Sequence, residues 1–202
     1  MPVHMQSYVR LVRFNHQLIV KLAQAVLSEI GESSSEMGLT FVGDRRMRRL
    51  NRQYRKQDRI TDVLAFAMRD AHAPHASRFA PWPLGDVVIS APTAARQARQ
   101  GKRSLDEEVA ALMVHGILHL CGYDHERSVK EARRMHRRER MILRSLKRLP
   151  KLAGYGKIML AREHSDGEHV WYGRRTVLQD AQKGRPARPQ RVKARGVPSG
   201  VR

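Results

Sequence analysis

Apolar residues at Leu18, Ile19, Leu22, Ala23, Val26 and Leu27 recur with the period of one helix face, and Gly31 follows them, so positions 14–30 predict an amphipathic helix stopped by a glycine. A short strand is expected ahead of it, over 3–9. The run MGLTFVG, 37–43, predicts a second strand, and Asp44 is the expected cap of a helix reaching Arg55 that turns Met47, Leu50 and Tyr54 inward. TDVLAFAM at 61–68 and GDVVIS at 85–90 are apolar or β-branched runs bounded by turn residues. With a Pro- and His-rich loop between them they predict a hairpin. Pro92 opens another short helix. Ser104 and Glu107 form the S-x-x-E capping box of the next, which runs through Leu105, Val109, Leu112, Met113, Ile117 and Leu120 to Gly122. Ser128 caps a last helix to about Leu149. No internal repeat is present. This order predicts an α+β fold in which about five helices cover a small mixed β-sheet of about four strands.

The pattern ends near 150. Pro150, Gly154, Gly156 and the Pro/Gly/Arg-rich end over 183–202 mark a segment with too little apolar surface to offset its ordering entropy. The chain therefore divides into a domain, 1–149, and a basic C-terminal extension, 150–202, expected to be largely disordered; HVWYG at 169–173 is its one aromatic cluster. A total of 202 residues suits one core plus such an appendage. No apolar run approaches the roughly 20 residues of a membrane helix, so no membrane association is expected. The first 28 residues carry no acid, as in an organelle transit peptide, but Lys21 and Gln24 interrupt the apolar stretch of a secretory signal, and a folded N-terminus is expected. A single cysteine, Cys121, makes no intrachain disulfide. The cytoplasm is the expected location.

Charge changes the picture. Lys and Arg number 39 against 19 Asp and Glu, a net charge of +20 that repels itself unless a polyanion answers it. Nucleic acid is the expected partner. Arg45, Arg46, Arg48, Arg49 and Arg52, with the bases over 133–148, are suited to a phosphate backbone, although any one run would serve equally as a solvated helix face. With aromatic residues at 5%, stacking platforms are scarce, and positioning by phosphate contacts is expected.

The candidate chemistry lies in MVHGILHLCGYDH, 113–125. His115 and His119, four apart on a helix, leave the same side one turn from each other. Gly122 tolerates a positive φ, so the chain is able to double back and bring His125 to the same point. Three neutral nitrogens around a tetrahedral zinc leave the fourth position open, the arrangement of a catalytic site. H-x-x-x-H alone occurs often by chance on amphipathic helices; the third histidine beyond the glycine makes the set specific. The spacing equals that of the metzincin proteases, whose second position is a glutamate general base. Here that position is Gly116, which argues against peptide hydrolysis. Asp124 has two roles open to it, orienting a ligand histidine or capping the turn. Tyr123 and Cys121 read as packing.

HGILHLCGYDHE, with LNRQYRKQDRITDVLAF at 50–66 and LGDVVIS at 84–90, resembles the YbeY family, bacterial rRNA maturation factors described as zinc-dependent, single-strand-specific endoribonucleases. The resemblance covers residues 1–148. It implies that His115, His119 and His125 bind one Zn2+ and that Arg55, at the end of the upstream helix, faces the site as a catalytic group beside His115. Arg52 and Lys56 are the neighbouring candidates for holding substrate. Where the family has Lys/Pro before the Thr, this chain has Arg59-Ile60. The resemblance further implies rRNA and the small ribosomal subunit as partners rather than DNA, and action in small-subunit rRNA 3′-end maturation and ribosome quality control. A non-catalytic RNA-binding assembly factor braced by a structural zinc, or another metal-dependent hydrolase, is the alternative. A guanidinium that stays ionised and forks onto two oxygens suits Arg55 to a phosphate clamp.

Overall fold

The computed structural model describes residues 2–10, 12–68, 82–146 and 152–155. Of the expected loop at 69–84, positions 69–81 lie outside the described residues and 82–84 belong to a strand instead; the part of the expected basic extension from 156 onward, including HVWYG, also lies outside the described residues. Among the described residues no helix is long and apolar enough to cross a membrane.

Four strands form a mixed sheet in the order β1 (Val3–Ser7), β3 (Ser35–Val42), β5 (Trp82–Ser90), β4 (Val63–Ala67). β1, β3 and β5 run parallel, and β4 closes the edge antiparallel to β5, with Leu64 opposite Val88. The expected hairpin is therefore present. Among the described residues five helices accompany the sheet: α1 (His16–Glu29), α2 (Asp44–Arg55), α3 (Ala91–Gln100), α4 (Leu105–Leu120) and α5 (Val129–Ser145). This is the expected α+β fold. α5 ends at Ser145, short of the expected 149, and 147–151 are not described.

The core is organised by α4. Val109, Ala110, Met113, Val114, Ile117 and Leu118 are fully buried, so apolar residues surround this helix almost completely, as expected of one packed on all sides. It lies against β4 and β5 on one side and meets α1, α3 and α5 on others. Its start is held by the capping box: the Ser104 hydroxyl accepts from the Glu107 amide at 3.1 Å while the Ser104 amide donates to Glu107 Oε2 at 2.7 Å. Its middle is held by Gly116. A Cβ there would stand 2.6 Å from Val87 Cγ1 and 3.3 Å from Val63 Cγ2, so hydrogen is the only side chain that allows this close approach of helix and sheet.

Two expectations for α2 need correction. Its N-cap is Gly43, without a side-chain cap, and Asp44 is the first helical residue. The Asp44 carboxylate turns to α3 instead, accepting from the Ser90 and Thr93 hydroxyls at 2.6 and 2.8 Å and from Arg96 at 2.7 Å. Burial alone would raise its pKa, but these donors outweigh it and hold the carboxyl below the ordinary aspartate value. Tyr54 is 57% exposed rather than inward; it meets the rim of the sheet edge-to-face on Phe66, at 5.0 Å between centroids. The inward residues are Met47, with Leu50 partly buried beside it, and Asn51, whose side-chain amide donates to the Arg59 carbonyl at 2.8 Å.

A second small sheet was not expected. β2 (Val12–Phe14) pairs antiparallel with β6 (Ala153–Tyr155), which lies past the position where composition changes. Leu152 and Ala153 are buried, and their amides both donate to Asp106 Oδ1, at 2.8 and 2.7 Å, in the first turn of α4. The fold's last strand thus falls within 150–202. Gly116→Ala is expected to cost about 1–2 kcal/mol net, because overpacking against Val87 outweighs a helix-propensity gain of about 1 kcal/mol. A denaturant titration measures this; unchanged stability would mean that the helix is not held close at this point.

Candidate metal centre

α4 delivers His115 and His119 in its last two turns. The helix stops at Leu120, Gly122 adopts φ of 84°, and the chain reverses to bring back His125. One ligand atom from each of the three histidines lies within 4.8 Å of the others, and the ring centroids stand 4.8 to 5.2 Å apart. The Nε2 atoms of His115 and His119 are 3.2 Å apart. Two imidazole nitrogens bound tetrahedrally at the usual zinc distance stand roughly 3.3 Å apart, so this pair fits a divalent ion of that size. Among the described residues this is the one group of metal-ligating side chains of its kind, and it holds three protein ligands.

The histidines are prepared for binding. Burial first, then the neighbouring His115 and His125, push His119 down to about 4; Asp124 opposes the shift and Arg55 adds to it. Burial and His115 likewise lower His125. Both are neutral at pH 7, with lone pairs available to a cation.

One group at the site carries no sequence signal. Glu139, on α5, places Oε1 3.7 Å from His115 Nδ1 and Oε2 3.4 Å from His136 Nδ1, with its side chain 18% exposed. Burial alone would raise this carboxyl, but the interactions with His115 and then His136 hold it below the ordinary glutamate value. His115 thus points one ring nitrogen at His119 and the other towards a carboxylate, the arrangement that sets the tautomer of a ligand histidine. His136 stacks parallel to His125 at 6.4 Å between centroids. Both residues belong to a run of bases on another helix, which in sequence looks the same as a solvated helix face.

The remaining candidates fall as follows. Arg55 reaches the rim, where its Nη2 donates to Glu126 Oε1 at 3.0 Å. Arg52 lies further back along α2, in a groove with Asp58. Lys56 has a left-handed backbone, φ 57°, at the C-cap of α2, and its ammonium donates to the Gln53 carbonyl at 3.1 Å. Of the two roles open to Asp124, the turn-capping one is observed: its oxygens accept from the Glu126 amide at 2.8 Å and from Arg127 Nε at 3.1 Å. Cys121 and Tyr123 pack against the core. Gly116 faces Val87 rather than the histidines, so a carboxylate at that position would drive into the sheet.

The sequence profile of the family described as Endoribonuclease YbeY matches residues 6–147. A Geobacter metallireducens protein named Endoribonuclease YbeY is 46% identical over 129 residues, 63% of this chain and 84% of that protein. A longer relative of the same name from Anaeromyxobacter is 47% identical over 123 residues, 61% of this chain and 60% of its own length. The solution structure of a Thermotoga maritima protein shares the fold, with a TM-score of 0.50 at 22% identity over 70% of this chain and 86% of that one.

Replacing Glu139 by Ala is expected to weaken binding of a divalent metal ion about 10- to 100-fold, and by Gln less, as measured by chelator competition; equal affinity in all three proteins would show that the carboxylate does not orient His115. Acid provides a second test. Between pH about 6.5 and 4 the unfolded chain binds protons that His119 in the folded, metal-free protein refuses, so stability falls as pH drops through that window, in a thermal-melt series.

Proposed function

This chain belongs to the endoribonuclease YbeY family, and from that premise we propose that it is a zinc-dependent endoribonuclease specific for single-stranded RNA. Its substrate is rRNA, at the 3′ end of the small-subunit species, and its setting is the ribosomal small subunit in the cytoplasm, in maturation and in quality control. The observation that carries this reading is the set of three partly buried histidines at the end of α4, with no fourth protein ligand in the group among the described residues, and with Arg55 at its rim.

Phosphodiester cleavage needs a nucleophile, neutralisation of charge on the non-bridging oxygens and help for the leaving oxygen. A divalent ion held here supplies Lewis acidity and an activated water at neutral pH. His115, His119 and His125 would hold it through their ring nitrogens, and Glu139 keeps His115 turned to it. Arg55 binds the scissile phosphate: its side chain is 45% exposed, and its present partner, Glu126, is a carboxylate held by one hydrogen bond of 3.0 Å, which a phosphate taking both arms of the guanidinium would displace. Arg52 and Lys56 add positive potential behind it and steer the strand. Gly116 supports the choice of RNA over peptide, since it leaves no carboxylate where a zinc protease has its base.

His119→Ala is expected to lose zinc and cleavage together. Arg55→Ala is expected to keep zinc and lose cleavage of a single-stranded rRNA fragment by about 100-fold or more, the usual effect of removing one donor to developing charge. Metal analysis beside a gel assay reads both; undiminished cleavage by Arg55→Ala would remove the clamp. Ends bearing 5′-phosphates would identify water as the nucleophile, and 2′,3′-cyclic phosphates the substrate's own hydroxyl.

A further inference from the structure

α2 carries Arg45, Arg48, Arg49, Arg52 and Arg55 at spacings of three and four, so they share one face, opposite buried Met47. A solvated helix face would look the same in sequence. The structure adds a concavity. At the start of α2 a groove of about 640 Å³ is walled by Tyr8, Gly43 and the arginines, and Arg46 lies over the Tyr8 ring, 4.1 Å from its centroid. Tyr8 is 56% exposed, with its hydroxyl donating to Gln6 at 2.8 Å. The groove's acid, Asp58, is taken by Arg48 through two hydrogen bonds of 2.9 and 2.8 Å, and nearby Asp44 is turned to α3. Arg45, Arg49 and Arg52 therefore present their charge outward.

At 1.5 Å per residue, the ten positions from Arg45 to Arg55 span about 15 Å. One end of this stripe is a half-exposed aromatic ring among guanidinium groups; the other is the rim of the metal centre. We propose that α2 is a binding track for the single-stranded RNA that flanks the scissile bond: the arginines follow successive phosphates, and a base several nucleotides from the cut joins the Arg46–Tyr8 stack. Rings on which bases stack, set in a basic groove, are the elements of sequence-tolerant single-strand binding. The proposal rests on the ribonuclease reading and adds to it a second contact region, remote from the ligands.

The test uses 2′-O-methyl oligonucleotides of three and ten nucleotides, with Kd from fluorescence anisotropy on the zinc-loaded full chain. The wild type is expected to bind the decamer more tightly than the trimer. Tyr8→Ala is expected to weaken decamer binding about tenfold and to collapse that ratio, and Tyr8→Phe, which keeps the ring, to preserve it. Arg45→Gln with Arg49→Gln, both on exposed helix positions, is expected to flatten the dependence of log Kd on log salt by about 1.4, near 0.7 per lost phosphate contact. Unchanged zinc content and melting temperature show that the variants are folded. A length ratio untouched by Tyr8→Ala, or a salt slope untouched by the arginine changes, overturns the track. So does polyglutamate competing as well as RNA of equal charge, which would assign the groove to an acidic polypeptide. Cleavage by the wild type is scored separately: RNA cut without the length effect removes the track alone, and a length effect without any cleavage removes the nuclease reading alone.

Discussion

Close contact between α4 and the sheet at Gly116 is the constraint on which the site depends. Because this helix is buried on nearly every side, its position is decided by packing with Val87 and Val63 on one face and with α1, α3 and α5 on the others, and it has little freedom to rotate or slide. His115 and His119 are therefore fixed in direction by the core itself. His125 follows because Gly122 turns the chain at the end of the same rigid helix. A ligand set built this way carries little reorganisation cost on binding a metal, since two of its three members are already ordered by burial that does not involve the metal.

Electrostatics complete what packing begins. In a chain with a net charge of +20, cations would be repelled from most of the surface. Around the histidines the balance is local and different: Glu139, Asp124 and Glu126 stand close by, and burial keeps His119 uncharged, so the three rings form a pocket of lone pairs beside carboxylates, suited to a cation, inside a basic protein. The wider positive surface has the sign that favours a polyanion. Asp44 joins the two regions, because its bonds to Ser90, Thr93 and Arg96 tie α2 to α3 and so help determine where Arg55 meets the metal loop.

The pattern of apolar residues located β3, β4, β5, α1, α2 and α4, because each such element has a face that must leave water, while α3 and α5 were legible from Pro92 and Ser128 at their starts. The capping box at Ser104 and the histidine spacing were equally legible, since both are local: their geometry follows from one helix and one glycine. Asp44 shows where local reasoning stops. Its position at a helix start reads as a cap, yet three donors from the N-cap and first turns of α3, more than forty residues away in sequence, hold it instead. Tyr54 repeats the lesson on the apolar side, with the period correct and the sheet too narrow to cover it.

What only the tertiary structure decided is what different segments do to one another. Glu139 and His136 lie in a stretch of bases that resembles any solvated helix until α5 packs beside α4 and sets Glu139 beside His115 and His136 beside His125. β6 lies in a segment whose composition argues for disorder, and it is held because Asp106 and the edge of β2 satisfy its amides. Tyr8 is an isolated aromatic until β1 places it beside the start of α2. The grouping of His115, His119 and His125 was determined by the sequence alone, since one helix and one glycine bring them together; the direction in which the core holds them, and the neighbours they meet on α5 and α2, depend on contacts between distant segments, which no local pattern records.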